Sequence, residues 1–104
     1  MKIEVKLDSR ATYTQNIPYE MVSHNSSGWC VVTKCDFVYM VLTEKDSSNI
    51  VRRLWINMKK WHKFCADRSN KKEINIIKNE NIVDLLCKIS DLENNEVITD
   101  VKSN

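Results

Sequence analysis

The chain has 104 residues, room for one domain and no more. Its 42% hydrophobic and 29% charged residues sit inside the globular range and exclude an intrinsically disordered chain. Sixteen basic against fourteen acidic residues leave a formal net charge of +2, which excludes a strong overall field; any nucleic acid or anionic membrane would have to be met by a local patch.

From the N-terminus, residues 2–8 alternate cleanly. Ile3, Val5 and Leu7 fall on one side and Lys2, Glu4, Lys6 and Asp8 on the other, which predicts a half-buried strand with its aliphatic face inward. Charge at every second position also rules out the apolar run of a signal peptide here. The longest apolar run, residues 37–42, is far too short to span a bilayer, so no membrane partner and a cytosolic location are expected. Residues 9–27 carry Tyr13, Ile17, Tyr19, Met21 and Val22 in mixed periodicity, which leaves a strand or a short helix after Pro18 open. Asn25, Ser26, Ser27 and Gly28 read as a turn.

Residues 29–33 and 37–42 are near-continuous aromatic and β-branched runs, which predicts a mid-sheet hairpin joined at Lys34, Cys35 and Asp36. Asp46 or Ser47 then caps a predicted helix over residues 47–66. On it Ile50, Val51, Leu54, Trp55, Met58, Trp61, His62 and Cys65 share one arc, with Arg52, Arg53, Lys59, Lys60 and Lys63 opposite. Residues 73–78 read as a short strand with Ile74 and Ile76 inward. Asn79 or Asn81 caps a second predicted helix ending at residue 93, with Ile82, Leu85, Leu86, Ile89 and Leu92 at helical spacing, and residues 96–102 form a last strand. The whole reads as a single α+β domain: a mostly antiparallel sheet of four to five strands with two amphipathic helices packed on one face.

The basic helix face is the most distinctive surface feature. Ile56 lies in the middle of its cations, as an apolar interface centre lies within a charged rim. Arg52, Arg53, Ile56, Lys59, Lys60 and Lys63 are therefore the expected contact residues for a protein partner with an acidic or amphipathic surface. The same cations could instead meet phosphates, which makes nucleic acid the alternative partner, although Trp55 and Trp61 fall in the apolar arc and would be unable to stack on bases. His62 and Cys65, three apart on the helix, are weak candidates for a zinc or thiol site. No C-x-x-C knuckle accompanies them, and no third group is selected by spacing.

Cys30, Cys35, Cys65 and Cys87 lie in or beside apolar segments, so reduced thiols are expected in place of a disulfide framework. A single glycine, Gly28, disfavours phosphate-cradling loops and nucleophile elbows. No cofactor and no enzymatic activity are expected. Heavy use of Lys, Asn and Ile fits AT-rich codons, such as those of a virus or phage. An inhibitor or adaptor is the expected role. The outer strands, residues 1–8 and 96–102, offer edges for a homodimer, although alternating Lys and Glu on the first looks more like protection against pairing.

Overall fold

The computed structural model describes residues 1–24, 26–71 and 73–101. In chain order the elements are β1 (Ile3–Asp8), α1 (Arg10–Thr14), β2 (Asn16–Ser23), β3 (Ser26–Ser27), α2 (Trp29–Val32), β4 (Phe37–Thr43), β5 (Ile50–Asn57), α3 (Met58–Asn70), β6 (Asn75–Lys78), β7 (Ile82–Lys88), α4 (Ile89–Asn94) and β8 (Ile98–Asp100). The α+β class holds. The strands form two sheets of four rather than one of four to five, in the orders β1-β4-β5-β8 and β3-β2-β7-β6. Every pairing is antiparallel except that of β1 with β4.

The largest correction concerns residues 47–66. Residues 50–57 are a strand, and helix begins only at Met58. Leu54 and Ile56 are buried while Arg53 and Trp55, which alternate with them, are half-buried, a period of two set by pairing with β4. The run is rich in β-branched and aromatic side chains, which pack better on a pleated surface than in a helical turn. Asn57, not Asp46 or Ser47, is the cap: its side chain accepts from the Lys60 N–H at 3.1 Å. From there Met58, Trp61, Phe64 and Cys65 form the buried stripe of α3.

Two other segments exchange type for similar reasons. Residues 29–32 form one helical turn, opened by Gly28, whose carbonyl accepts from Val31 and Val32. The hairpin partner of β4 is therefore β5. Residues 82–88 are a strand, with only residues 89–94 helical beyond it. Asn79 caps no helix; its side-chain oxygen accepts from the N–H groups of Asn81 and Ile82 and tightens the β6–β7 turn. Residues 9–27, open to strand or helix, hold α1, β2 and β3. Pro18 sits in β2 opposite Leu86, where β3, bonded only to Val22 and Ser23, leaves the strand's other side open and the missing N–H costs no ladder bond. Of the predicted turn, Asn25 lies outside the described residues, as does Lys102 of the last predicted strand.

One core joins both sheets. Val38, Met40, Leu42, Leu54, Ile56 and Ile98 come from the first sheet and Ile17, Tyr19, Leu85 and Cys87 from the second, with Met58, Trp61, Phe64 and Cys65 of α3 and Ile89 and Leu92 of α4. Trp61 ties α3 to the second sheet: its ring meets Tyr19 edge-on at 5.1 Å and its indole N–H donates to Cys87 Sγ at 3.4 Å. The first strand is where the face prediction reverses. Parallel register sets Glu4 beside Val38 and Lys6 beside Met40, so the even positions of β1 share the core-facing side of β4. Ile3, Val5 and Leu7 point the other way and are 44%, 63% and 75% exposed. Ile76 in β6 is likewise exposed, while Ile74 packs against the core.

Candidate contact surface

The predicted basic face does not exist as one surface. Arg52 and Arg53 lie on opposite faces of β5, and the lysines lie on α3. Arg52 is committed: it donates to both oxygens of Asp100 at 2.8 Å and to Glu93 at 2.9 Å, and these hydrogen bonds, those to Asp100 foremost, raise its pKa above the ordinary guanidinium value. Ile56 is 0% exposed and cannot centre an interface; its alternation with Trp55 turns it into the core. Lys59, Lys60 and Lys63 remain exposed on α3, Lys60 with Glu96 at 4.0 Å.

His62 and Cys65 do not converge either. The His62 ring meets Tyr19, whose hydroxyl lies within hydrogen-bonding reach of Nδ1. Burial pushes the Tyr19 phenol up to about 12 and the His62 imidazolium below its ordinary value, so the pair stays neutral at physiological pH. Cys65 turns into the core with its sulfur 3.7 Å from that of Cys87. The hydrogen bond between them, together with burial, holds the Cys65 proton on well above the usual thiol range. Burial raises Cys30 to about 12. A protonated, buried thiol is a poor nucleophile. Among the described residues no three His, Cys, Asp or Glu side chains gather closely enough to hold a metal ion.

A groove of about 480 Å³ opens between α1 and the second sheet, lined by Asp8, Arg10, Asn16, Pro18 and Asp84 among others. The Asp84 Oδ1 atom is buried with no hydrogen-bond partner. Desolvation, and then the Glu20 carboxylate directly opposite in the β2–β7 pairing, raise its pKa.

The surface that stands out is the outer face of the first sheet. The register lays Val5 beside Tyr39 and Tyr39 beside Trp55, with Thr99 beyond; Ile3 lies beside Phe37, and Leu7 beside Val41 and then Arg53. Phe37 stacks on Trp55 at 4.9 Å between centroids, and Tyr39 meets the same indole at 6.1 Å in a T-shaped contact. Val41 is buried among these neighbours yet stands outside the core cluster. The result is a contiguous aliphatic and aromatic surface on one side of the sheet. Arg53 borders it, with no carboxylate in ion-pair range among the described residues. Of the residues expected in the contact, only Arg53 lies here. The sequence pattern turns Ile3, Val5, Leu7, Phe37, Tyr39 and Trp55 inward, and only strand register reveals that they share one outer side.

No family model, no curated protein and no solved structure matches this chain. Among the described residues no helix is long and apolar enough to cross a membrane.

Proposed function

We propose that this chain is a protein-interaction module, acting by binding and not by chemistry, whose contact surface is the outer face of the first sheet. The observation that carries this reading is the cluster of Phe37, Tyr39 and Trp55, flanked by exposed aliphatic side chains and by the Arg53 guanidinium, which has no ion-pair partner among the described residues. A sheet face of this kind is ordinarily covered by a helix or another sheet. The occupant that fits is an amphipathic segment of a partner protein, with an apolar ridge for the aromatic cluster and a carboxylate for Arg53. Arg is preferred at interface centres because its planar fork binds carboxylates bidentately. A reducing, cytosolic compartment accords with Cys65 and Cys87 remaining thiols at a sulfur separation of 3.7 Å.

The test compares four folded variants in affinity capture, followed by titration with the purified captured protein. Tyr39→Ser and Arg53→Glu should each weaken binding tenfold or more, while Arg53→Lys retains part of it. The triple variant Lys59→Glu, Lys60→Glu, Lys63→Glu should bind normally, with little salt dependence. Loss of binding in the triple variant alone would return the contact to the α3 lysines. Binding that collapses between low and moderate salt and is abolished by nuclease would make the partner a nucleic acid.

A further inference from the structure

Strand β1 ends the first sheet: β4 holds one side of it, and among the described residues no strand pairs with the other. Its register starts with Ile3 beside Phe37, and the Lys2 carbonyl just before it accepts from the N–H groups of Asp36 at 2.8 Å and Phe37 at 3.3 Å. Backbone groups alternate in direction along a strand, so the N–H and C=O of Lys2, Glu4, Lys6 and Asp8 turn toward β4. Those of Ile3, Val5 and Leu7 turn to the open edge. An added antiparallel strand would form its hydrogen-bonded pairs with these three residues.

A second copy of β1 approaching this edge about a twofold axis has few registers to choose from. With the axis at Val5, Ile3 meets Leu7 of the second copy and Val5 meets its own equivalent, so exposed aliphatic side chains adjoin. On the other side of the strand Glu4 meets Lys6 and Lys2 meets Asp8, and every charge faces its opposite. Moving the axis to Glu4 sets Glu4 against Glu4 and Lys2 against Lys6. Moving it to Lys6 sets Lys6 against Lys6 and Glu4 against Asp8. Like charges directly opposite destabilise a strand pair and unlike charges stabilise it; an axis at Ile3 or Leu7 also sets unlike charges together but overlaps only one end of the strand, so the axis at Val5 is the one complementary register that pairs residues 2–8 in full.

We propose that the chain forms a symmetric dimer through β1, antiparallel and centred on Val5, which joins the two first sheets into one. The surface argued above to bind a partner then runs unbroken across the twofold axis, but the dimer does not depend on that reading. The alternating charges that resemble protection against edge pairing act here as selection for one partner and one register. Three hydrogen-bonded pairs supply about six backbone hydrogen bonds over a small contact, so the dimer belongs to the weak, reversible class, on the order of micromolar.

Sedimentation equilibrium of the full chain from roughly micromolar to roughly millimolar concentration tests this. The wild type should pass from one chain to two. Glu4→Lys and Lys6→Glu alone each place four like charges around the axis and should weaken association roughly tenfold or more. An equimolar mixture of the two variants should dimerise again, because lysines then face glutamates, and so should the double variant Glu4→Lys, Lys6→Glu. Thermal melts of each variant separate lost association from lost folding. A chain that stays monomeric throughout, a dimer indifferent to these substitutions, or a mixture that fails to re-associate would each overturn the proposal. A dimer abolished by Tyr39→Ser but not by the charge variants would place self-association on the sheet face and overturn it as well.

Discussion

Replacing Gly28 by alanine is ordinarily mild or stabilising when the backbone is extended, since alanine leaves the unfolded chain with less entropy to lose, worth about 0.4–1 kcal/mol. Gly28 has φ −71° and ψ 166°, which alanine adopts freely, so conformation alone predicts stabilisation. Space predicts the reverse. A Cβ at this position would lie 2.6 Å from the Glu20 carbonyl oxygen and 2.7 Å from its carbon, both main-chain atoms of β2 that no side-chain rotation can move. Relief requires β2 and α2 to separate, which strains the 2.7 Å hydrogen bond from the Gly28 N–H to the Met21 carbonyl and disturbs the turn that seats Cys30 in the core. Overpacking of this kind costs about 1–3 kcal/mol, so after the entropic offset Gly28→Ala should lose roughly 1–2 kcal/mol. Urea unfolding followed by tryptophan fluorescence measures it; with a slope of about 1–2 kcal/mol/M the midpoint should fall by about 1 M, against no change for the exposed control Ser26→Ala. A Gly28→Ala midpoint equal to or above wild type would refute the claim that contact, and not conformation, fixes the one glycine.

Three further outcomes follow from the same packing. Ile56→Ala should cost about 2–5 kcal/mol in urea unfolding, the range for emptying a fully buried aliphatic site, whereas an interface residue in water would change stability by less than about 0.5 kcal/mol. A thiol-reactive probe added to the native protein should label Cys35 quickly and Cys30, Cys65 and Cys87 only on unfolding, read by intact mass. Because burial holds His62 below its ordinary 6.5, the unfolded chain takes up the proton first; stability present above that pH is lost as the pH falls below it, and His62→Gln should flatten this decline. Asp84, pushed upward, has the opposite sign and gains stability on protonation, so the comparison belongs in an Asp84→Asn background.

Much of the first sheet was legible in the sequence. The alternation of residues 2–8 and the dense apolar run of residues 37–42 each gave a strand, and the second of these is central in its sheet. What failed were segments whose apolar spacing satisfies two periods at once. Leu54, Met58, Trp61 and Cys65 keep helical intervals, yet the first of them belongs to a strand and the rest to the helix that follows it. The sign of this was present: a helix through residues 47–66 left Ile56 stranded among cations, and Asn57 offered a cap in mid-helix. Residues 82–89 hold the same ambiguity, and Asn79 can cap a helix or close a hairpin with the same side-chain oxygen. The exposed face was not legible, because which side of β1 meets water depends on its parallel register with β4, more than thirty residues away.

The chain visits its sheets in turn. β1 lies in the first sheet, β2 and β3 in the second, β4 and β5 in the first, β6 and β7 in the second, and β8 returns to the first. No contiguous half of the polypeptide contains a complete sheet, so neither layer can form and wait for the other. The β4–β5 hairpin closes locally, but β1 must reach β4 and β2 must reach β7 across long loops before either sheet is complete, which slows folding, and the two layers should melt as one unit. A cut in any connection between β2 and β7 would divide the strands of both layers between the two fragments, leaving neither fragment a complete sheet.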